Sequence, residues 1–326
     1  MVYSITQQRT RPGGSTKAGG GAAIRMKKFL LAVPLLIGGV TIAPLPGGAR
    51  EMDLVSIEVR SLPFLSLEHP QTNTFEDHVK IQPQDVKARV SLPPWRLGSN
   101  GTLLSVGLGY ENLRFFYKNW DSAQDPNRVD ELQAAQLFFF LKKQLHAEGW
   151  GLRSFVTSGI HSDFKAITTR DLRLQGGAML ERQYARGHLW GFGLVFLNDY
   201  GTPRVFPGVY YQRTIGSAHR INVRLPTQLS YAYIPNDRWE LGVAAKVTGN
   251  NSRLEREGPL KGKTVKYSLG TIGPSIKRNI NRFLSVSLEG GTTFRHQLEI
   301  YDGSSRIRDL GLRQSYFVTT AVRAGF

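Results

Sequence analysis

His161-Ser162-Asp163 brings a base, a hydroxyl and a carboxylate together in sequence, the residue types of acyl transfer. A nucleophile must lie within hydrogen-bond reach of its base. On an extended strand His161 and Asp163 share a face and Ser162 points away, so adjacency alone makes no triad. Ser-Asp is also ordinary turn chemistry. His188 and His296 have no second histidine at i+2 or i+4 with a carboxylate on the same face, so neither is expected to bind a metal. Gly107-Leu-Gly109 is followed by no helix, which removes the phosphate-loop reading. The chain has no cysteine, which excludes a disulfide scaffold, a zinc–thiolate site and a lipoprotein anchor. No catalytic residue, metal or cofactor is therefore expected, and the chain is not expected to be an enzyme.

The charged residues with a better claim to function are Arg224, Lys246, Glu289, Arg295 and Arg323. Each sits on the polar face of a segment in which polar and apolar residues alternate. From Arg220, Ile221, Val223, Leu225, Thr227, Leu229, Tyr231 and Tyr233 face one way, against Asn222, Arg224, Pro226, Gln228 and Ser230. Trp239 to Thr248 and Leu284 to Arg295 repeat the pattern, and Leu104–Tyr110, Leu172–Leu180 and Val265–Thr271 show it more weakly. A period of two is that of a strand with two unlike faces. Soluble strands are usually about 5–6 residues long, whereas these runs reach about 10 or more, as membrane-spanning strands do. Mid-strand Arg, Lys and Glu suit a wet lumen, and Trp239, Tyr231, Tyr233, Phe294 and Tyr316 suit interfacial girdles. A secreted β-sandwich is the competing architecture, because one-sided burial also alternates.

The fold class expected is all-β: a single transmembrane antiparallel up-and-down β-barrel of about 12 strands, with 14 as the alternative. A direct count gives 13, and single-chain bacterial barrels have even numbers. The excess falls between about 198 and 234. Either Pro203–Arg213 is not an independent strand, or the segment breaks at Pro226-Thr227; alternation through Pro226 favours 12. Val129–His146 contains helix formers but runs into Ala147-Glu148-Gly149, a hairpin-like turn, and is expected to be a strand. Long loops are expected at 67–80, 119–129, 161–170, 250–263 and 301–311.

The chain's ends concern export. Met26-Lys27-Lys28 precedes the apolar run Phe29 to Ala43, with small residues beyond, which describes a secretory signal peptide over 26–49. Residues 1–25 are expected to be a non-native or disordered leader, and 50–326 the barrel. At the other end Tyr316, Val318, Val322 and Phe326 share one face of a strand that ends in an aromatic. That ending resembles the insertion signal of Gram-negative outer-membrane barrels. The formal net charge is +17; six basic residues and no acid precede residue 50, leaving +11 on the rest. The scatter of these charges argues against nucleic acid and for lumen and lipid-headgroup contacts.

Trp190-Gly-Phe-Gly-Leu-Val-Phe-Leu-Asn-Asp-Tyr-Gly201, Phe206-Pro-Gly-Val-Tyr-Tyr211, Arg220-Ile-Asn-Val-Arg-Leu-Pro226 and Asp237-Arg-Trp-Glu-Leu-Gly242 resemble an uncharacterised outer-membrane barrel family known by a domain-of-unknown-function label. Val90-Ser-Leu-Pro93 is similar to its strand–Leu-Pro element. The resemblance covers roughly residues 52–326 and implies a cell outer-membrane location with no transferable activity. The expected function is a passive pore or small-solute channel. A plugged structural or surface-interaction barrel is the alternative, and a lipid-modifying barrel enzyme is disfavoured. The expected partners are outer-membrane lipids, including lipopolysaccharide, and the barrel-assembly machinery, with no nucleic acid.

Overall fold

The computed structural model describes residues 53–67, 78–98, 102–120, 128–145, 149–185, 187–198 and 203–325. The leader expected at 1–25, the signal peptide expected at 26–49 and Phe326 lie outside them. One antiparallel sheet of fourteen wall strands closes on itself. In chain order the strands are β1 (Asp53–Ser61, resuming at Leu65–Ser66), β2 (Lys80–Ser91, resuming at Trp95–Leu97), β3 (Thr102–Lys118), β4 (Glu131–Gln144) and β5 (Trp150–Ser162). They continue with β6 (Leu172–Ala185), β7 (His188–Leu197), β8 (Arg204–Ile215), β9 (His219–Leu225) and β10 (Gln228–Asn236). The last four are β11 (Trp239–Arg253), β12 (Thr264–Asn279), β13 (Leu284–Asp302) and β14 (Ser305–Gly311, resuming at Tyr316–Gly325). Closure is by β1 on β14, with Ser56 opposite Arg323 and Arg60 opposite Thr319. Both terminal strands thus start and finish at one end, here the turn end. Tight connections such as 237–238 lie there, and most of the longer ones, such as 254–263, lie at the loop end.

The preferred count of 12 strands is corrected to the alternative, 14. Residues 204–215 form a strand, and the chain does turn at Pro226-Thr227, where the Thr227 N–H donates to the Arg224 carbonyl at 2.8 Å. Arg224 then pairs with Gln228. These partners are an even number of residues apart, so every side chain keeps its parity through the turn. Alternation is blind to such a hairpin. Proline has no N–H for the ladder, which is why both Leu-Pro elements mark interruptions. At Leu92-Pro93 β2 breaks off, after Leu92 has donated to Val106. Residues 131–144 form a strand as expected. The long loop expected at 301–311 is instead a hairpin extension of β13 and β14, turned at Gly303-Ser304. Gly303 has φ +57°, a conformation that only glycine adopts without strain.

The wall reverses its polarity along its height. Toward the turn end Leu284, Val286 and Leu288 of β13 face out while Ser285, Ser287 and Glu289 face in. Toward the loop end Leu298 and Ile300 are buried inside while Gln297 and Glu299 face out. The even-numbered residues change sides because β13 carries one extra residue, Phe294, between the pairs Thr271–Thr293 and Gly270–Arg295. The Phe294 ring lies over Gly270, where a Cβ would come within 2.5 Å of it. β3 reverses its polarity with no bulge and no change of face: Leu104, Val106 and Leu108 face out, and beyond Gly109 the apolar residues Leu113, Phe115 and Tyr117 take the inward, odd-numbered positions.

Inside the loop half, side chains from β1–β4 and β12–β14 pack into one cluster, including Leu62, Ile81, Phe115, Leu132, Tyr267, Leu298 and Phe317. Phe115 and Tyr267 meet edge to face across the interior, with centroids 5.6 Å apart. The segment 254–263 closes the top and contributes Leu254 and Leu260. β11 stays paired with β12 to its end, Arg253 opposite Thr264, while its other edge turns to β5 and β6. Its Arg253 bridges to Ser162 of β5, and its Asn251 donates to the Asn198 carbonyl and accepts from Arg173.

Outside, an apolar belt surrounds the turn half, with Leu108, Leu180, Leu194, Val209, Leu229, Val243, Ile272 and Val318 among its exposed members. Aromatic rings border it near the turns. Trp150 meets Trp190 at 6.1 Å, Trp190 stacks on Phe192 at 5.4 Å, and Arg182 lies over both Trp150 and Tyr184. His188 belongs to this border, against Tyr211.

Candidate functional site in the lumen

The inward positions of the turn half carry polar and charged side chains, because the apolar residues of each strand have gone to the belt. Just below the packed cluster they form an ionic layer. Arg60 of β1 donates to Thr319 of β14 at 3.3 Å and to Thr248 of β11 at 3.2 Å, and pairs with Glu58 at 3.2 Å. Lys87 of β2 bridges Asp85 at 3.3 Å and Glu111 of β3 at 3.2 Å. Lys246 of β11 pairs with Glu289 of β13. On the opposite wall Glu181 of β6 binds Arg153 at 2.8 Å and Lys142 at 3.2 Å. Arg153 also lies 4.5 Å from the centre of the Tyr210 ring. Such charges tolerate burial because they are paired and hydrogen-bonded.

Of the five residues assigned to the lumen from sequence, four face inward. Lys246 and Glu289 form one ion pair. Arg323 reaches Asp53 at 3.3 Å and donates to Ser287 at 2.9 Å, so its partner is not Glu289. Arg224 lies over the Tyr210 ring at 5.7 Å and is exposed. Arg295 is corrected: the extra residue at Phe294 turns it to the outer surface, where it donates to Gln297 at 3.2 Å. Tyr316, Val318 and Val322 are exposed on the belt side of β14, at 67%, 48% and 42%.

Sequence reasoning missed Arg60, Asp85, Lys87, Glu111, Arg153 and Glu181. A signal was present. Glu58-x-Arg60 and Asp85-x-Lys87 place opposite charges two apart, which puts both on one strand face.

His161, Ser162 and Asp163 do not assemble as a triad. The His161 ring is hydrogen-bonded to Gln136 at 3.0 Å. The Ser162 hydroxyl is 3.5 Å from Asp163 and from the Ala166 carbonyl. Asp163 accepts backbone N–H bonds from Lys165, Glu255 and Arg256, and Arg256 pairs with Asp130 at 2.7 Å. These residues clasp the 254–263 cap to β4 and β5. His296 lies within the packed interior, bonded to the Tyr267 hydroxyl at 2.8 Å. No group of three metal-ligating side chains occurs among the described residues.

The family model that matches the chain is described as "Domain of unknown function (DUF6268)" and covers residues 100–307. No curated protein matches. Among solved structures the chain is similar to the COG4313 outer membrane channel from Pseudomonas putida F1, at 10% identity and a TM-score of 0.44, over 87% of this chain and 100% of that one. It is also similar to the outer membrane protease OmpT from Escherichia coli, at 11% identity and a TM-score of 0.22, over 84% of this chain and 94% of that one. A porin of Rh. blastica shares 8% identity at a TM-score of 0.27, over 84% of this chain and 100% of that one.

Proposed function

The chain belongs to the DUF6268 family, and we propose that it is an outer-membrane β-barrel whose lumen is blind: wet from the periplasmic side and sealed from the outside. Strand closure and the exposed apolar belt support the membrane reading, because only closed barrels and helices satisfy their backbone in lipid. Tight turns on the side of the chain ends support a periplasmic turn end, with the loops outside. Arg182 and Arg278, stacked on Tyr184 and Trp239 at the belt's edge, suit contact with anionic headgroups.

The observation that carries the blind lumen is the packed cluster that fills the loop half, with Leu132, Leu298 and Ile300 at 0–1% exposure. A 14-strand barrel has room for a channel only where its lining leaves it. Purified protein in a planar bilayer is therefore expected to add no steady conductance above leak; steady steps from the unmodified protein sink the proposal. A gated channel is the second reading. The wet, basic lining of the turn half favours it, and it requires the cap and cluster to move.

The belt face of β14, with Tyr316, Val318 and Val322, is proposed together with Phe326 as the signal read by the assembly machinery. Deleting Phe326 should remove the compact, unboiled band from outer-membrane fractions on an SDS gel. An undiminished band would refute that role.

A further inference from the structure

Cations gather on one sector of the outer surface at the turn end. Lys143, Arg182 and Arg213 stand one, three and two residues before the ends of β4, β6 and β8, which are Gln144, Ala185 and Ile215. Each is in the outward register of its strand, in line with the exposed belt residues Leu137, Leu180 and Val209. The strands between them carry rings at this end. Trp150 begins β5 and lies opposite Arg182, and His188 begins β7 and lies opposite Arg213. Five neighbouring strands therefore present cation, ring, cation, ring and cation. Neighbouring strands are about 4.8 Å apart, which spaces the cations by about 10 Å. Across the barrel the outward residues near the turn end are apolar, with Leu284 of β13, Val322 of β14, Val55 of β1 and Leu104 of β3.

The middle cation is fixed by rings. Arg182 lies 5.4 Å from the centre of the Trp150 ring and 4.7 Å from that of Tyr184. Tyr184 stacks on Trp190 at 6.4 Å, and His188 lies 5.5 Å from Tyr184 and 5.8 Å from Tyr211. Rings on the face of a guanidinium leave the N–H groups of its edge free to donate. Among the described residues none of the three cations pairs with a carboxylate. Glu181, beside Arg182 in sequence, faces the lumen and binds Arg153 and Lys142 there. Next to the cations, toward the middle of the belt, Leu180, Phe192 and Leu194 are 40–62% exposed.

We propose that this sector is a binding site for an anionic diacyl phospholipid of the leaflet at the turn end. Its phosphodiester lies between Arg182 and Arg213, flanked by Lys143, and its chains run along Leu180, Phe192 and Leu194. Fixed cations and an exposed apolar strip adjoin here as phosphate and chains do in such a lipid, and a guanidinium edge matches phosphate oxygens. A zwitterionic lipid brings an ammonium that the same cations repel, so the anionic lipid is preferred. The inference rests on the membrane reading above, and the test separates the two.

Trp95→Phe, Trp120→Phe and Trp239→Phe together leave Trp150 and Trp190 as the only tryptophans, both within the sector. In vesicles made wholly of acyl-brominated lipid their fluorescence should be quenched; unquenched fluorescence overturns the membrane reading and the site with it. In vesicles of unbrominated phosphatidylethanolamine, a small fraction of brominated phosphatidylglycerol should quench more than the same fraction of brominated phosphatidylethanolamine. Arg182→Gln and Arg213→Gln should each lower that preference about fivefold, with the gel mobility of the folded form unchanged. Arg96→Gln, at an exposed turn-end cation of β2 outside the sector, should keep it. If the triple background gives no compact band, the same comparisons are read with all five tryptophans in place. Quenching without a preference, a preference that survives both substitutions, or an equal loss in Arg96→Gln overturns the site and leaves the barrel reading standing.

Discussion

Leu298→Asp should abolish the folded barrel, whereas Gln297→Asp, one residue away, should not. Phe294 is the extra residue of β13, and past it His296, Leu298 and Ile300 face inward and Arg295, Gln297 and Glu299 outward. Leu298 is fully buried in the packed interior. An aspartate there would bury an unpaired charge, at a cost of several kcal/mol, and losing the buried Leu costs about 2–5 kcal/mol more. Together these match the whole stability of a typical domain, about 5–15 kcal/mol. Leu298→Asp should leave no unboiled, compact band on an SDS gel. Gln297→Asp puts its charge on the outer surface and should retain that band. Deleting Phe294 should retain it too, because Thr293 and Arg295 already face the consecutive residues Thr271 and Gly270, so the pairing and the faces are kept. A compact band from Leu298→Asp would contradict the polarity reversal along β13.

The second large effect is expected at the seal. Phe115 and Tyr267 touch from opposite walls, and both are at most 5% exposed. Replacing both with serine removes the contact that spans the interior and lets water in beside His296, which loses its Tyr267 partner. Each truncation should cost about 3–5 kcal/mol alone, and the pair less than the sum because the residues touch. The folded form should convert on heating at a clearly lower temperature, while the apolar belt below is untouched. In a bilayer the double variant should pass current where the unmodified protein does not. A folded double variant that stays silent would place the seal in the 254–263 cap rather than in the cluster.

The sequence revealed the barrel because the belt half alternates cleanly: β10, β11, the first half of β13 and the end of β14 each present one apolar face. It hid the hairpin at Pro226, since a turn between partners an even number of residues apart leaves alternation intact. Arg295 was misplaced for the complementary reason: a bulge changes the face without any break in the pattern. The packed interior was illegible for a different cause. Apolar residues such as Leu113 and Phe115 look the same whether they face lipid or one another, and only the pairing partners decide. The inward charges at Arg60, Asp85 and Lys87 were readable as i, i+2 pairs, yet their bonds across strands depend on register.

The blind lumen is tested most directly by thiol accessibility in the cysteine-free chain. Ser304→Cys reports the loop end, at the tip of the β13–β14 hairpin, and Ser285→Cys the lumen near the turn end. Each variant is reconstituted separately under the same conditions and treated from outside with a membrane-impermeant reagent. A sealed barrel predicts complementary labelled fractions. Molecules with the loop end outward react in the Ser304→Cys variant and stay unlabelled in the Ser285→Cys variant, and inverted molecules do the reverse. Labelling of every molecule of the Ser285→Cys variant, whatever its orientation, would mean that the lumen runs through and would contradict the account.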